Sequence, residues 1–128
     1  MGSVNGMIIS EEMKPIIKKI TELDGYKCHG LVNYKKGVSA LNEDSDPTDQ
    51  SNFFPQQCTA IVNTLFSSLK NLNGGTPNKL IVESSNMTML IAIVNDTYFC
   101  GIGLEPNIDY QKASLALESL RKAIKLQY

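Results

Sequence analysis

Three closely spaced apolar segments, "KLIVESSNMTMLIAIVNDTYFCGIGLEPN" at residues 79–107, constrain the fold of this chain more than any other feature. Polar breaks at Ser85-Asn86 and Asn95-Asp96 separate the segments, and two-residue breaks of this kind are typical of tight hairpins. We therefore predict three antiparallel strands. The middle segment, "MTMLIAIV", is apolar at successive positions rather than at alternate ones. This pattern predicts that helices cover both faces of the sheet.

The rest of the chain supplies two further strands and three helices. The strands are expected at 26–34 and 38–41, joined by a short turn. Apolar residues at helical spacing predict helices over 10–23, 53–72 and 110–127. The predicted fold is α+β: a three-layer α/β/α sandwich built on a five-stranded antiparallel sheet, with the long middle helix on one face and the terminal helices on the other. We expect one domain over 1–128, with its core at about 10–126.

Charge and cysteine content exclude several classes of protein. The 12 basic and 13 acidic residues nearly balance, which argues against a nucleic-acid partner, because such binding needs a basic surface. The three cysteines are an odd number and form no C-x-x-C motif, as expected for free thiols in a reducing compartment.

The first residues, "MGSVNGMIIS", do not resemble a secretory signal, and no stretch approaches the ~18 apolar residues of a membrane span. We expect a cytoplasmic protein without direct membrane insertion.

The candidate reactive groups are few. Cys28 and His29 are neighbours on a predicted strand, so their side chains should point to opposite faces of the sheet. Cys100 could lie beside either of them on an adjacent strand, which leaves a Cys-His nucleophile conceivable, but no third group that would orient the His is apparent. The chain is therefore not expected to be an enzyme, and no catalytic residue is assigned.

The candidate ligand-binding motifs are also weak. "EDSDPTDQ" has the acidic character of a calcium loop, but position twelve counted from Asp44 is Pro55 rather than Glu; a solvated loop or an acidic contact for a basic partner remain open. "NGGTPNK" lacks the order of a phosphate-binding loop. Gly101-Ile102-Gly103 lies within a strand and is expected to permit close packing of a helix on the sheet. No cofactor and no metal ligand are predicted.

The order of elements and several segments resemble the Roadblock/LC7 family over residues 13–123. The resemblance rests on "LDGYKCHGLVNYKKGVSAL" for the first hairpin, on "LIVES" for the next strand and on "GIGLEPN" for the strand exit before the last helix. These motifs are structural rather than catalytic. The long polar segment 42–52 departs from the family, which usually has a shorter link there.

The resemblance implies a profilin-like fold and a function in protein interaction. Family members dimerise through the middle helix and the neighbouring edge strand, and they are typically non-enzymatic regulators or scaffolds of small Ras-like GTPases. A homodimer that binds such a GTPase is therefore the first expectation. The alternatives are an accessory subunit of a larger motor or signalling complex, which a heterodimer in place of a homodimer would favour, and a profilin- or PAS-like sensor of a small ligand.

The apolar surface of the middle helix is wider than one sheet face needs. A core stripe is predicted from Phe54, Cys58, Ile61, Leu65, Leu69 and Leu72, with Phe53, Val62 and Phe66 beside it. A deeply buried helix would give the same pattern, but "LIVES" as an edge strand also needs a cover. The predicted dimer or partner interface consists of Phe53, Val62, Phe66, Leu69, Leu80, Val82 and Glu83.

Overall fold

The computed structural model describes residues 10–40 and 55–127. Within them the predicted order of helices and strands is confirmed, with ends that differ from the prediction by at most three residues. The polar segment 42–52, with its discarded calcium pattern, and residues 53 and 54 lie outside the described part. The elements are α1 (Met13–Thr21), β1 (Tyr26–Asn33), β2 (Val38–Ser39), α2 (Pro55–Asn71), β3 (Lys79–Glu83), β4 (Thr88–Ile93), β5 (Tyr98–Leu104) and α3 (Gln111–Gln127).

The strands form one antiparallel sheet in the order β2-β1-β5-β4-β3. β3, β4 and β5 follow one another as the predicted meander, and β1 pairs with β5 along its whole length, with an irregularity between Tyr26 and Cys28. The short β2 lies at one edge of the sheet and β3 at the other. The five-stranded antiparallel sheet expected from the sequence is therefore confirmed.

Two apolar clusters, one on each face of the sheet, form the core. On one face α1 and α3 cover Leu90 and Ile102, and Leu117 of α3 packs in the same cluster. On the other face Val62 of α2 packs with Ile91 and other side chains of the central strands. β4 contributes successive residues to both clusters, which explains its unbroken apolar sequence and confirms the three-layer arrangement.

The helix ends are defined by capping groups that the sequence shows. The N–H of Met13 donates to the hydroxyl oxygen of Ser10 at 3.2 Å, so Ser10 serves the start of α1 as expected. After α2 the chain reverses at Asn73, whose φ is 55°, and the N–H of Gly74 donates to the carbonyl of Leu69 at 2.7 Å. "NGGTPNK" is thus a helix stop.

The predicted core stripe of α2 is wrong in part. Cys58 and Val62 are buried, whereas Ile61 is 41% and Leu72 75% exposed. At about 100° per residue the apolar arc of this helix spans roughly 140°, which is more than the sheet can cover. Cys58, Val62 and Phe66 recur every four positions and so form one edge of the arc. The sheet packs against this edge. Ile61 and Leu72 lie at the other edge of the arc.

None of the described helices is both long enough and apolar enough to cross a membrane.

Candidate protein-interaction surface

One face of the sheet is only half covered by helix. The backbone of α2 lies against β1 and β2, at the opposite edge from β3. On this face the side chains of Leu80, Val82 and Ile93 are only partly buried. Ile93 also lines a groove of about 270 Å³ together with Phe66 of α2. We call Phe66, Leu80, Val82 and Ile93 the β3 strip, an apolar surface of the kind that marks protein contacts.

The backbone of β3 offers hydrogen-bonding groups along the sheet edge. Two bonds fix the pattern of its pairing with β4: Ile93 N–H donates to Asn78 at 2.9 Å, and Ser84 N–H donates to Met87 at 2.9 Å. Because hydrogen-bonded pairs alternate along an antiparallel ladder, Leu80 and Val82 also bond to β4. The N–H and C=O groups of the residues between them therefore point away from β4, toward the position of a further strand. These residues are Lys79, Ile81 and Glu83.

The side chains of those three residues lie on the α3 face of the sheet. Lys79 Nζ donates to Ser114 Oγ at 2.6 Å, and the Tyr110 hydroxyl donates to Glu83 Oε2 at 3.2 Å. The hydrogen bond to Glu83 raises the pKa of Tyr110. α3 thus holds a cation at one end of β3 and an anion at the other, with Ile81, 38% exposed, between them.

The residues predicted for the interface do not all lie on this surface. Leu80 and Val82 do, and Glu83 lies on the same strand but on the opposite face. Phe66 is half-buried and stacks on Tyr34, with ring centroids 5.6 Å apart.

The remaining three predicted residues are placed elsewhere. Val62 is fully buried within the chain, so it supports the fold and has no exposed surface to offer. Leu69 is half-buried, and Phe53 lies outside the described residues. Whether these side chains contact a partner stays a prediction.

Lys79, Ile81 and Ile93 were missed by the sequence reasoning. The signal for the first two is present in "KLIVE", where opposite charges stand two residues on either side of a central Ile. For Ile93 the sequence carries no signal, because its exposure depends on how far α2 reaches across the sheet.

The candidate nucleophile is not arranged for catalysis. Cys28 and His29 point to opposite faces of the sheet, as predicted. Cys28 packs against the apolar cluster on the α2 face. His29 lies opposite Ile102 of β5, which belongs to the cluster on the other face. His29 Nδ1 lies 2.7 Å from the Tyr26 hydroxyl oxygen. Cys100 directs its thiol to the Ala92 carbonyl at 3.8 Å. Burial raises the pKa of Cys100 to about 12, so this thiol stays protonated at neutral pH and is a poor nucleophile.

The described residues contain no group of three or more His, Cys, Asp or Glu side chains placed to hold a metal ion.

No protein-family model matches the sequence, and no curated protein matches it. Solved structures do match. A Roadblock/LC7 domain from Streptomyces avermitilis superposes with a TM-score of 0.74 at 11% identity, covering 92% of this chain and 98% of that one. An MglB structure with a tetrameric arrangement gives a TM-score of 0.72 at 10% identity over 91% of this chain and 87% of that one.

The gliding protein MglB from Thermus thermophilus gives a TM-score of 0.69 at 12% identity, covering 92% of this chain and 91% of that one. Identities this low show the fold alone. The chain therefore has the Roadblock/LC7 fold, as the sequence resemblance implied.

Proposed function

We propose that this chain is a non-enzymatic, self-associating interaction module that regulates or scaffolds a small Ras-like GTPase in the cytoplasm. Its fold is shared with MglB, which is described as a gliding protein and as forming a tetrameric arrangement. The GTPase partner is what the resemblance to the Roadblock/LC7 family implies. The three free cysteines, Cys28, Cys58 and Cys100, are consistent with a reducing compartment.

The observation that carries the proposal is the self-complementary edge of β3. A twofold axis at Ile81 pairs Ile81 with its own copy and uses the outward-pointing backbone groups of both strands. The same axis places Lys79 opposite Glu83 of the second copy, and Glu83 opposite the second Lys79. Opposite charges thus meet on the α3 face at both ends of the pairing, which stabilises this register.

The other face of the paired strands is apolar under the same symmetry. Leu80 of one copy lies opposite Val82 of the other, so the two β3 strips become continuous across the axis. The joined strips bury side chains that each chain leaves half exposed, and the sheet edge is no longer open to unspecific pairing. We propose that the resulting ten-stranded, twofold unit presents the surface that binds the GTPase.

Proline at position 81 tests the self-association. Ile81→Pro removes an N–H that points away from β4, so it disrupts pairing with a second copy and leaves the β3–β4 ladder intact. Ile81→Thr is the matched control, because it keeps the N–H and a β-branched side chain. By light scattering after size exclusion, the wild type and the Thr variant should have twice the chain mass of 14.1 kDa, and the Pro variant should be monomeric with an unchanged circular dichroism spectrum. A folded Pro variant that stays dimeric would contradict pairing through β3.

A pull-down tests the partner. Tagged wild-type and Ile81→Pro chains are incubated with host lysate in the presence of GDP or of a non-hydrolysable GTP analogue, and bound proteins are identified by mass spectrometry. A small GTPase enriched in one nucleotide state by the wild type alone supports the proposal. A large complex captured equally in both states would instead indicate an accessory subunit.

A further inference from the structure

Sulfur-bearing side chains converge at one place beneath α2. Gly103 on β5 pairs with Cys28 of β1 on one side and with Met89 of β4 on the other. Cys58 of α2 lies above them, and Met87 approaches from the turn before β4; all four sulfur side chains belong to the apolar cluster on the α2 face. These four, which we call the sulfur cluster, come from three elements and from the turn that precedes β4.

Gly103 provides the space into which the cluster reaches. A Cβ atom added at this glycine would lie 2.6 Å from Cys28 Sγ and 3.5 Å from the Met87 methyl carbon. The sequence predicted that this glycine admits a helix close to the sheet, but the Cys28 thiol takes that space. Cys58 Sγ and Met89 Sδ are 4.0 Å apart, so these two sulfur atoms are in contact.

We propose that the sulfur cluster is a binding site for one Cu(I) ion, held by the thiolates of Cys28 and Cys58 and by the thioethers of Met89 and Met87. Thiolate and thioether ligands select Cu(I) over harder ions. With metal–sulfur bonds of about 2.3 Å and the tetrahedral angle of a four-ligand site, two ligating sulfurs stand about 3.8 Å apart. Cys58 Sγ and Met89 Sδ are 4.0 Å apart, close to this separation, so these two ligands need little movement.

The exposure of the four side chains gives the ion a path into the site. Cys58 and Met89 are only 5% and 9% exposed, whereas Cys28 and Met87 are half-buried. The ion would enter between Cys28 and Met87 and reach the buried pair behind them. A site that is open on one side and apolar on the other suits direct transfer of Cu(I) from a thiol carrier. Such a transfer keeps the ion from being released as a free species.

Binding exchanges protons and transfers no electron. Cu(I) binding to the two thiols releases one proton from each into solvent. Because Cys58 is the only ligand on α2, the bound ion also ties this helix to the sheet.

Competition with a coloured chelator tests the site. The reduced chain is titrated anaerobically into the Cu(I) complex of bicinchoninate, and loss of colour reports the copper that the protein removes. The wild type should remove one equivalent. Met89→Leu should weaken binding at least tenfold, because Leu has a volume similar to that of Met but lacks the thioether ligand. Cys28→Ser combined with Cys58→Ser should abolish binding. Met13→Leu is the matched control, since Met13 is also buried but lies on the opposite face, and it should bind like the wild type.

Each other outcome counts against the site. If the wild type removes no more copper than the double serine variant, there is no site. If Met89→Leu binds as tightly as Met13→Leu, the thiols bind copper without the arrangement described above. Circular dichroism confirms that each variant is folded. Ile81→Pro should still remove one equivalent, so failure of the self-association proposal and failure of the copper proposal give different results.

Discussion

Charge reversal at the ends of β3 gives the sharpest test of the proposed twofold register. In the proposed dimer each Lys79 faces Glu83 of the second copy, so Lys79→Glu converts two attractive pairs into two repulsive ones. An exposed cross-strand pair is worth about 0.5 kcal/mol, and repulsion of similar size replaces it. The loss is about 1 kcal/mol per pair and about 2 kcal/mol per dimer, which corresponds to a roughly 30-fold weaker dimer.

Glu83→Lys should weaken the dimer by the same factor, and the double variant should recover it, because the swapped charges attract again. The contacts within one chain, from Lys79 to Ser114 and from Tyr110 to Glu83, are altered in the double variant as well. Recovery therefore cannot come from them. Dimer dissociation constants from analytical ultracentrifugation measure the effect, which should shrink at about 1 M salt, where the screening length is about 3 Å.

Two results would refute this reasoning. Single variants that dimerise like the wild type would show that Lys79 and Glu83 do not face each other. A double variant as weak as either single variant would show that each residue acts separately, for example through its bond to α3. The Ile81→Pro test does not depend on these charges, so it would still decide whether β3 is the contact.

Three further predictions concern the fold. Glu118→Gln should lower the free energy of unfolding by about 0.5–1 kcal/mol at pH 7, because the hydrogen bond from Arg121 holds the pKa of Glu118 below its ordinary value. That contribution exists above the pKa of the unfolded chain and is lost as pH falls through the lower folded pKa, so urea titrations of variant and wild type should converge in acid, once Glu118 is protonated in both the folded and the unfolded chain. Gly103→Ala should destabilise by about 1–3 kcal/mol, since the new Cβ would meet the Cys28 thiol at 2.6 Å; adding Cys28→Ala should remove most of this loss, and an unchanged loss would contradict the crowding. Val62→Ala should cost about 2 kcal/mol by urea unfolding, and a cost near zero would show that the fully buried Val62 is not packed in the core.

The sequence predicted this fold well because its strands and turns are locally encoded. The unbroken apolar run of β4 and the polar breaks on either side of it require a buried central strand between hairpins, whatever the rest of the chain does. Ser10 likewise caps the start of α1 through its hydroxyl group, and Asn73 and Gly75 adopt the positive φ that ends α2. The order of elements and the three-layer arrangement follow from these local features together with the apolar periodicity of the helices.

The tertiary structure decided which edge of each apolar surface is covered. The residues of α2 alone give an arc wider than one contact, so the sequence could not tell that Val62 is buried and that Ile61 is exposed. That choice depends on the angle at which α2 crosses the sheet, which is set by packing between distant residues. The same crossing angle leaves the β3 strip only partly covered by α2.

The candidate sites divide in the same way. The sequence by itself determined that Lys79 and Glu83 flank Ile81 symmetrically, because spacing within a strand fixes which residues share a face. Only the tertiary structure decided which backbone groups of β3 point away from β4, and that Cys28, Cys58 and Met89 meet over Gly103. These three sulfur residues are separated by some 30 positions each along the chain, and side chains so far apart in sequence are brought together only by strand order and helix packing.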